Sequence, residues 1–183
     1  VSPEIYKKNG KDFNKFKNDY EARNKLKDVL LIEQGHICCY CGQAIKLEKC
    51  VLEHIKPKEH YPELALDYTN LVCSCCGGQT NRQKNKNYPV YCDAKKGKEE
   101  IDILPTDKDC ENRFMFDDQG NIFAAREGDT EAENTIDILG LNTPTLVNKR
   151  RAAIDAYRYL DSRNLDWEQE IEKLIKRDIK GYF

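Results

Sequence analysis

The residues best suited to chemistry in this 183-residue chain are its nine cysteines and one of its three histidines. Eight of the cysteines fall between Cys38 and Cys92, and the ninth is Cys110. An odd number, with no apolar signal stretch in Val1-Ser2-Pro3-Glu4, argues against a disulfide scaffold and predicts a cytoplasmic protein. In a reducing compartment, thiols clustered in this way point to metal. Cys38 and Cys41 form a C-x-x-C knuckle, whose turn aims both sulfurs at one ion and supplies half of a tetrahedral thiolate zinc site. The other half has to come from among Cys73, Cys75, Cys76 and Cys92. His54, in Glu53-His54-Ile55-Lys56-Pro57, has a side chain that takes a proton near neutral pH. His36 and His60 lack such surroundings and read as structural or exposed.

Elements must carry these groups. Phe13, Phe16, Tyr20, Leu26 and Leu30 lie at broadly helical spacing, and Gly35 follows as a stop, so the spacing predicts a helix from Asp12 to Glu33. After the tight turn at the knuckle, Ala44 to Leu47 and Cys50 to Ile55 read as two short strands. Gly77-Gly78 opens a polar loop, Gln79 to Asn87, with no helical periodicity. Cys92-Asp93-Ala94-Lys95-Lys96 reads as a short helix ended by Gly97. Arg113 to Phe116 and Asn121 to Phe123 flank Asp117-Asp118-Gln119-Gly120, a hairpin signal. Thr143-Pro144 is an N-cap and N1 pair, with Val147, Ile154, Tyr157 and Leu160 on one face of the helix it starts. Asp166 caps a further helix with Trp167, Ile171, Leu174 and Ile175 as its stripe.

Composition sets the frame. Hydrophobic residues are 39% and charged residues 34%, enough for a core inside a strongly charged surface, and no apolar run approaches the ~18 residues of a membrane span. The net charge of −2 hides an asymmetry: residues 1–100 hold 18 Lys and Arg against 14 Asp and Glu, and residues 101–183 hold 12 against 18. From Thr80 to Lys98 the bases Arg82, Lys84, Lys86, Lys95, Lys96 and Lys98 face the single acid Asp93, a segment able to contact phosphates without reading bases. The chain divides by this reading into a helical arm (1–34), a cysteine-rich core with its hairpin (35–128) and a helical tail (129–183).

The order C-x-x-C, then Glu53-His54-Ile55-x-Pro57, then Asn70-Leu71, then a Cys, then a Cys followed by a polar residue and Lys resembles the HNH (ββα-metal) nuclease family. "EQGHICCYCG", "LEHIKPK", "LDYTNLVCSCCGG", "YCDAKKG" and "ILPTDKDCENRFMF", with the later "TIDILGLNTPTLVNKRRAAI", are similar to the HNH nucleases of retron and Septu anti-phage systems. The resemblance implies an α+β fold: a zinc-stapled ββα-metal core with an N-terminal helix and a C-terminal helical extension. It implies zinc ligands Cys38, Cys41, Cys75 and Cys92, with an insertion between the last two; Cys73-x-x-Cys76 is the rival second pair. His54 is the implied general base, and Asn70 ties a loop to hold it. Glu53 and Asp93 are the implied ligands of a catalytic Mg²⁺ or Mn²⁺. The family's final His is missing; Asp93 stands in its place, directly after a Cys, and Asn81 is the competing candidate. The implied function is cleavage of DNA in bacterial defence with an ATPase partner, which the acidic tail would contact. A zinc-ribbon-like binding or scaffold module with a decayed site is the alternative.

Overall fold

A computed structural model describes residues 13–161, together with Asp166, Glu168, Gln169 and Glu172. The first helical stretch is two helices rather than one: α1 (Phe13–Asn18) and α2 (Tyr20–Glu33). The break is Asp19, whose extended backbone and side-chain oxygen, accepting from the Ala22 N–H at 2.9 Å, make it the N-cap of α2. Gly35 ends α2 with φ of 62°, and the His36 N–H returns to the Leu31 carbonyl, which satisfies the last turn. Ala22, Leu26, Leu30 and Leu31 form its buried face, whereas Tyr20, expected on that stripe, is exposed in the first turn after the break. Full burial of a leucine side chain stabilises by roughly 1.5–3 kcal/mol.

Ala44 to Leu47 is not a strand. Ala44 makes a single bridge to Ile37, and Leu47–Lys49 is a 3-10 turn. The expected second strand does form, as β1 (Cys50–His54), but its partner is β2 (Leu71–Cys75). They pair antiparallel, from Cys50 opposite Cys75 to His54 opposite Leu71. Every residue of β2 is buried, so it lacks the alternation that marks a strand in sequence. α2 packs against both strands.

The segment expected as a loop after Gly77-Gly78 contains a helix, α3 (Gln79–Lys84). Its turn is set by the two glycines, with φ of 52° and 83°. A Cβ on Gly77 would stand 1.9 Å from the Tyr91 carbonyl oxygen. α4 (Asp93–Lys96) comes next and ends at Gly97, as its sequence indicates. The hairpin forms between β3 (Phe114–Phe116) and β4 (Ile122–Ala124). Asp129 caps α5 (Thr130–Leu139) through the Ala132 N–H and receives Arg113 on both carboxylate oxygens, at 2.6 and 2.7 Å.

α6 (Pro144–Asp161) starts at its proline. The Thr143 carbonyl accepts from the N–H groups of Leu146 and Val147, while the Thr143 hydroxyl is buried without a partner. The stripe expected on α6 is not core: Val147 and Ile154 are half-buried and Tyr157 is exposed, whereas Leu146 is the fully buried residue. Asp166 accepts from the Glu168 and Gln169 N–H groups, as a cap does; the rest of that expected helix, with Leu160's side chain, lies outside the described residues. One hydrophobic cluster joins Phe16 and Leu30 of the first helices to Cys73 of β2, Ile122 of β4, Leu139 of α5 and Leu146 of α6.

Candidate active site and metal centre

Three separate turns bring four cysteines together. The knuckle after α2 supplies Cys38 and Cys41, held by Cys38 N–H on the Gln43 carbonyl and Gly42 N–H on the Cys38 carbonyl. β2 ends at Cys75, and Cys92 sits just ahead of α4, held by its N–H on the Leu139 carbonyl at 2.8 Å. Their sulfurs all lie within 4.8 Å of one another, with Cys38 to Cys92 and Cys41 to Cys75 both at 3.9 Å. A tetrahedron of thiolates with bonds of ~2.3 Å has edges of ~3.8 Å, so the donor set fits a closed metal site, and zinc in particular. The surrounding cysteines hold the Cys38 thiol pKa below its ordinary value, and the Cys75 N–H donates to its sulfur at 3.3 Å. Cys73 is turned away. Its thiol donates to the Lys27 carbonyl of α2 at 3.5 Å, and its N–H meets the Gln34 side chain at 2.6 Å. Cys76 is likewise outside the four-sulfur group.

His54 ends β1 and is 7% exposed. Its Nε2 lies 3.1 Å from the Ala65 carbonyl oxygen. A carbonyl can only accept, so Nε2 carries the proton of the neutral ring and Nδ1 keeps the lone pair. Burial holds the imidazole pKa below its ordinary value, which keeps that lone pair available. Asn70 does not touch His54. It clamps the next turn instead, accepting from the Lys56 N–H at 2.8 Å and donating to the Lys56 and Leu64 carbonyls at 3.0 and 3.3 Å.

Glu53 and Asp93 meet across β1 and α4. Glu53 is 5% exposed and takes both the Tyr40 hydroxyl (3.1 Å) and the Lys96 ammonium (2.9 Å) on Oε1. The Asp93 pKa is pushed up to about 7, first by burial and then by its hydrogen bond to Glu53 and the charge on it. A buried and a half-buried carboxylate sharing one space are an oxygen-donor set that a hard divalent ion would relieve. Lys96, from the far end of α4, also donates to the His54 carbonyl at 3.0 Å. A cavity of about 650 Å³ holds Glu53, His54 and Asp93 in its wall. Asn81 is exposed on α3, outside that wall. His36 and His60 lie outside it too, His60 beside Glu100 at 3.6 Å.

Sequence reasoning passed over Tyr40, and took Lys96 as a base of the basic segment and Phe13 as a helix-stripe residue without placing either at the site. Lys96 had a signal, its position three residues after Asp93 on a helix; Tyr40 and Phe13 had none. Phe13 meets the His54 ring edge-on, with centroids 5.4 Å apart.

The fold and site define a mixed protein of helices and small sheets, with a cluster of four cysteines able to hold a metal ion beside a buried histidine and a pair of carboxylates. No family model matches the chain. It is 32% identical over 151 residues to a protein of Vibrio cholerae serotype O1 biovar El Tor named "Retron Vc95 putative HNH endonuclease", an alignment covering 78% of this chain and 70% of that protein. It is 27% identical over 130 residues to "Septu protein PtuB" of Bacillus thuringiensis, covering 68% of this chain and 44% of that protein. The chain belongs to the family of HNH nucleases of retron and Septu defence systems. No helix among the described residues is long and apolar enough to cross a membrane.

Proposed function

We propose that this protein is a metal-dependent endonuclease that cleaves phosphodiester bonds in DNA. Zinc on Cys38, Cys41, Cys75 and Cys92 staples a ββα core made of β1, β2 and α4. The observation that carries the reading is the convergence of His54, Glu53 and Asp93 on one cavity from two different elements.

Glu53 and Asp93 would hold a divalent ion such as Mg²⁺ or Mn²⁺, which would offset charge on the phosphate and the leaving oxygen. His54 takes a proton from the attacking water at Nδ1, with the Ala65 carbonyl fixing the tautomer through Nε2. Asn70 keeps the turn after β1 in place, so that the imidazole is held and need not be ordered during the reaction. Lys96 holds the Glu53 side chain and the His54 backbone from one point. The names of the relatives support a role in anti-phage defence. The acidic second half of the chain is the surface offered to an ATPase partner.

Nicking of supercoiled plasmid tests the activity, with Mg²⁺, with Mn²⁺ and with chelator. Wild type should nick only with metal, and His54→Ala should lose roughly 10²–10⁴-fold in rate while keeping its zinc. Asp93→Ala should be inactive and Asn81→Ala active. Full activity in His54→Ala overturns the role of the histidine. A wild-type protein that binds DNA but never cuts it would instead be a binding or scaffold module.

A further inference from the structure

The cavity that holds His54 has a second wall, made by the helical arm. β1 lines it from Cys50 to His54, and Phe13, Phe16, Lys17, Arg23 and Lys27 of α1 and α2 face that strand. At a rise of ~3.3 Å per residue, β1 gives the cavity a length of about 13 Å. One nucleic-acid strand carries a phosphate every ~3.4 Å of helix axis, so this length spans about three or four phosphates.

The charge in the cavity is arranged to match. Lysine and arginine line it from the arm (Lys17, Arg23, Lys27) and from beyond β1 (Lys58, whose ammonium lies 5.8 Å from the Phe13 ring centroid, and Lys98). Of the three carboxylates in the wall, Glu53 is already paired with Lys96 and Glu59 with Lys58 at 3.1 Å, and Glu53 and Asp93 are the pair proposed above to hold the divalent ion. Lys27 serves the fold, since its ammonium is occupied by the Leu47 and Cys50 carbonyls at 3.3 and 3.1 Å. Arg23 keeps a more exposed contact: Nη1 donates to the Lys17 carbonyl at 2.7 Å, which holds the guanidinium at the junction of α1 and α2. Lys17 is exposed beside it. By contrast, Arg82, Lys84 and Lys86, the cluster most evident in the sequence, are exposed on and after α3 and line no part of this cavity.

We propose that α1 and α2 form the phosphate-binding wall of the active-site cleft, with Lys17 and Arg23 gripping the backbone of the DNA strand led to His54. The proposal rests on the nuclease reading and deepens it: the arm is part of substrate binding, and the cluster of Arg82, Lys84 and Lys86 is not its main contact. Such contacts position a strand without reading its bases, so cleavage follows backbone geometry rather than sequence.

The test is fluorescence anisotropy of a fluorescein-labelled DNA duplex of about 20 base pairs, long enough to cover the three or four phosphates of the cleft. It is titrated with full-length protein in Ca²⁺ over a salt series. The variants are Lys17→Glu/Arg23→Glu and, as a control, Lys84→Glu/Lys86→Glu, each checked for zinc content and melting temperature. The arm variant should bind about tenfold or more weakly, and its plot of log affinity against log salt should be shallower by about one for each phosphate contact removed. The control should bind as wild type does. Unchanged affinity in the arm variant, a loss confined to the control, or no binding by wild type each overturns the proposal. Because binding is read without cleavage, a wild type that binds through the arm yet never cuts DNA defeats the nuclease reading alone. A wild type that cuts while the arm variant binds normally defeats the arm alone. If the arm variant melts early, Arg23→Gln and Lys17→Gln replace it under the same criteria.

Discussion

Lys96 is 1% exposed, and a lone ammonium so deeply buried would cost several kcal/mol. Glu53 offsets that cost at 2.9 Å and the His54 carbonyl takes a second proton of the same group, so one cation braces two residues of the site. Tyr40 adds a link in the other direction. It stands inside the Cys38–Cys41 knuckle and donates to Glu53, and Asp93 follows Cys92 directly, so both carboxylates hang from the thiolate cluster. Removing an ion held by the four cysteines should therefore disturb the Glu53–Asp93 pair as well. The individual sulfurs can be told apart by substitution. Cys75→Ser should lower zinc content and melting temperature together, since binding of a structural ion is coupled to folding. Cys73→Ser and Cys76→Ser should keep about one zinc per chain, because the Cys73 thiol faces α2 and Cys76 lies outside the group of four. Elemental analysis decides it, and zinc lost from Cys73→Ser but kept in Cys75→Ser would move the site to the rival pair.

The element that lets the four thiols meet is the turn between β2 and α3. The Tyr91 N–H reaches the Gly77 carbonyl at 3.0 Å, which docks the segment carrying Cys92 against the end of β2. Gly77 permits this in two ways, through its positive φ and through the absence of a side chain where Tyr91 passes. Gly77→Ala should destabilise the protein by ~2–4 kcal/mol, combining the left-handed penalty with a forced separation of the two segments. A lower urea midpoint together with reduced zinc content is the expected result. An Ala variant with an unchanged midpoint and full zinc would mean that the docking is dispensable. The break between α1 and α2 has a similar local cause, with consequences for the cleft. Asp19 ends one helix by capping the next, and the Phe16 carbonyl receives the Asp19 N–H in the turn between them. That turn leaves Arg23 within reach of the Lys17 carbonyl.

At the scale of the molecule, a single apolar cluster includes residues from the arm, the cysteine-rich centre and the start of the tail. Leu146 of α6 is 1% exposed within it, and Arg150 ties the same helix to the Gly120 and Leu141 carbonyls at 2.6 Å. The beginning of α6 is thus structural, whereas its later turns are largely exposed. Leu146→Ala should cost about 2–5 kcal/mol, the range for emptying a buried leucine site. A chain ending at residue 143 should melt well below one ending at residue 161, and thermal unfolding of the pair checks it. Equal melting would show that α6 adds nothing to the core. A search for the partner-binding surface is best made with the chain ending at 161, which keeps Leu146 and Arg150 and removes only residues 162–183.

What the sequence determined by itself is what depends on neighbours along the chain. The C-x-x-C turn, the helix stop at Gly35, the hairpin around Gly120 and the short helix closed by Gly97 are local in this sense, and each occurs where its spacing indicates. A few residues of motif are enough to mark such features, because backbone sterics and periodicity act over short stretches of chain. The tertiary structure decided what depends on packing. It paired β1 with β2, whose buried run of Leu71 to Cys75 carries no alternation, and it turned Cys73 into the core while leaving Cys75 at the thiol cluster. It placed α3 where composition suggests a loop, and set Leu146 rather than Val147 into the core. It also laid α1 and α2 beside β1, so that Phe13, Lys17 and Arg23 share a cavity with His54. No short-range rule links Arg23 to His54: their meeting results from burying the apolar face of α2 on the sheet, a free energy summed over the whole core.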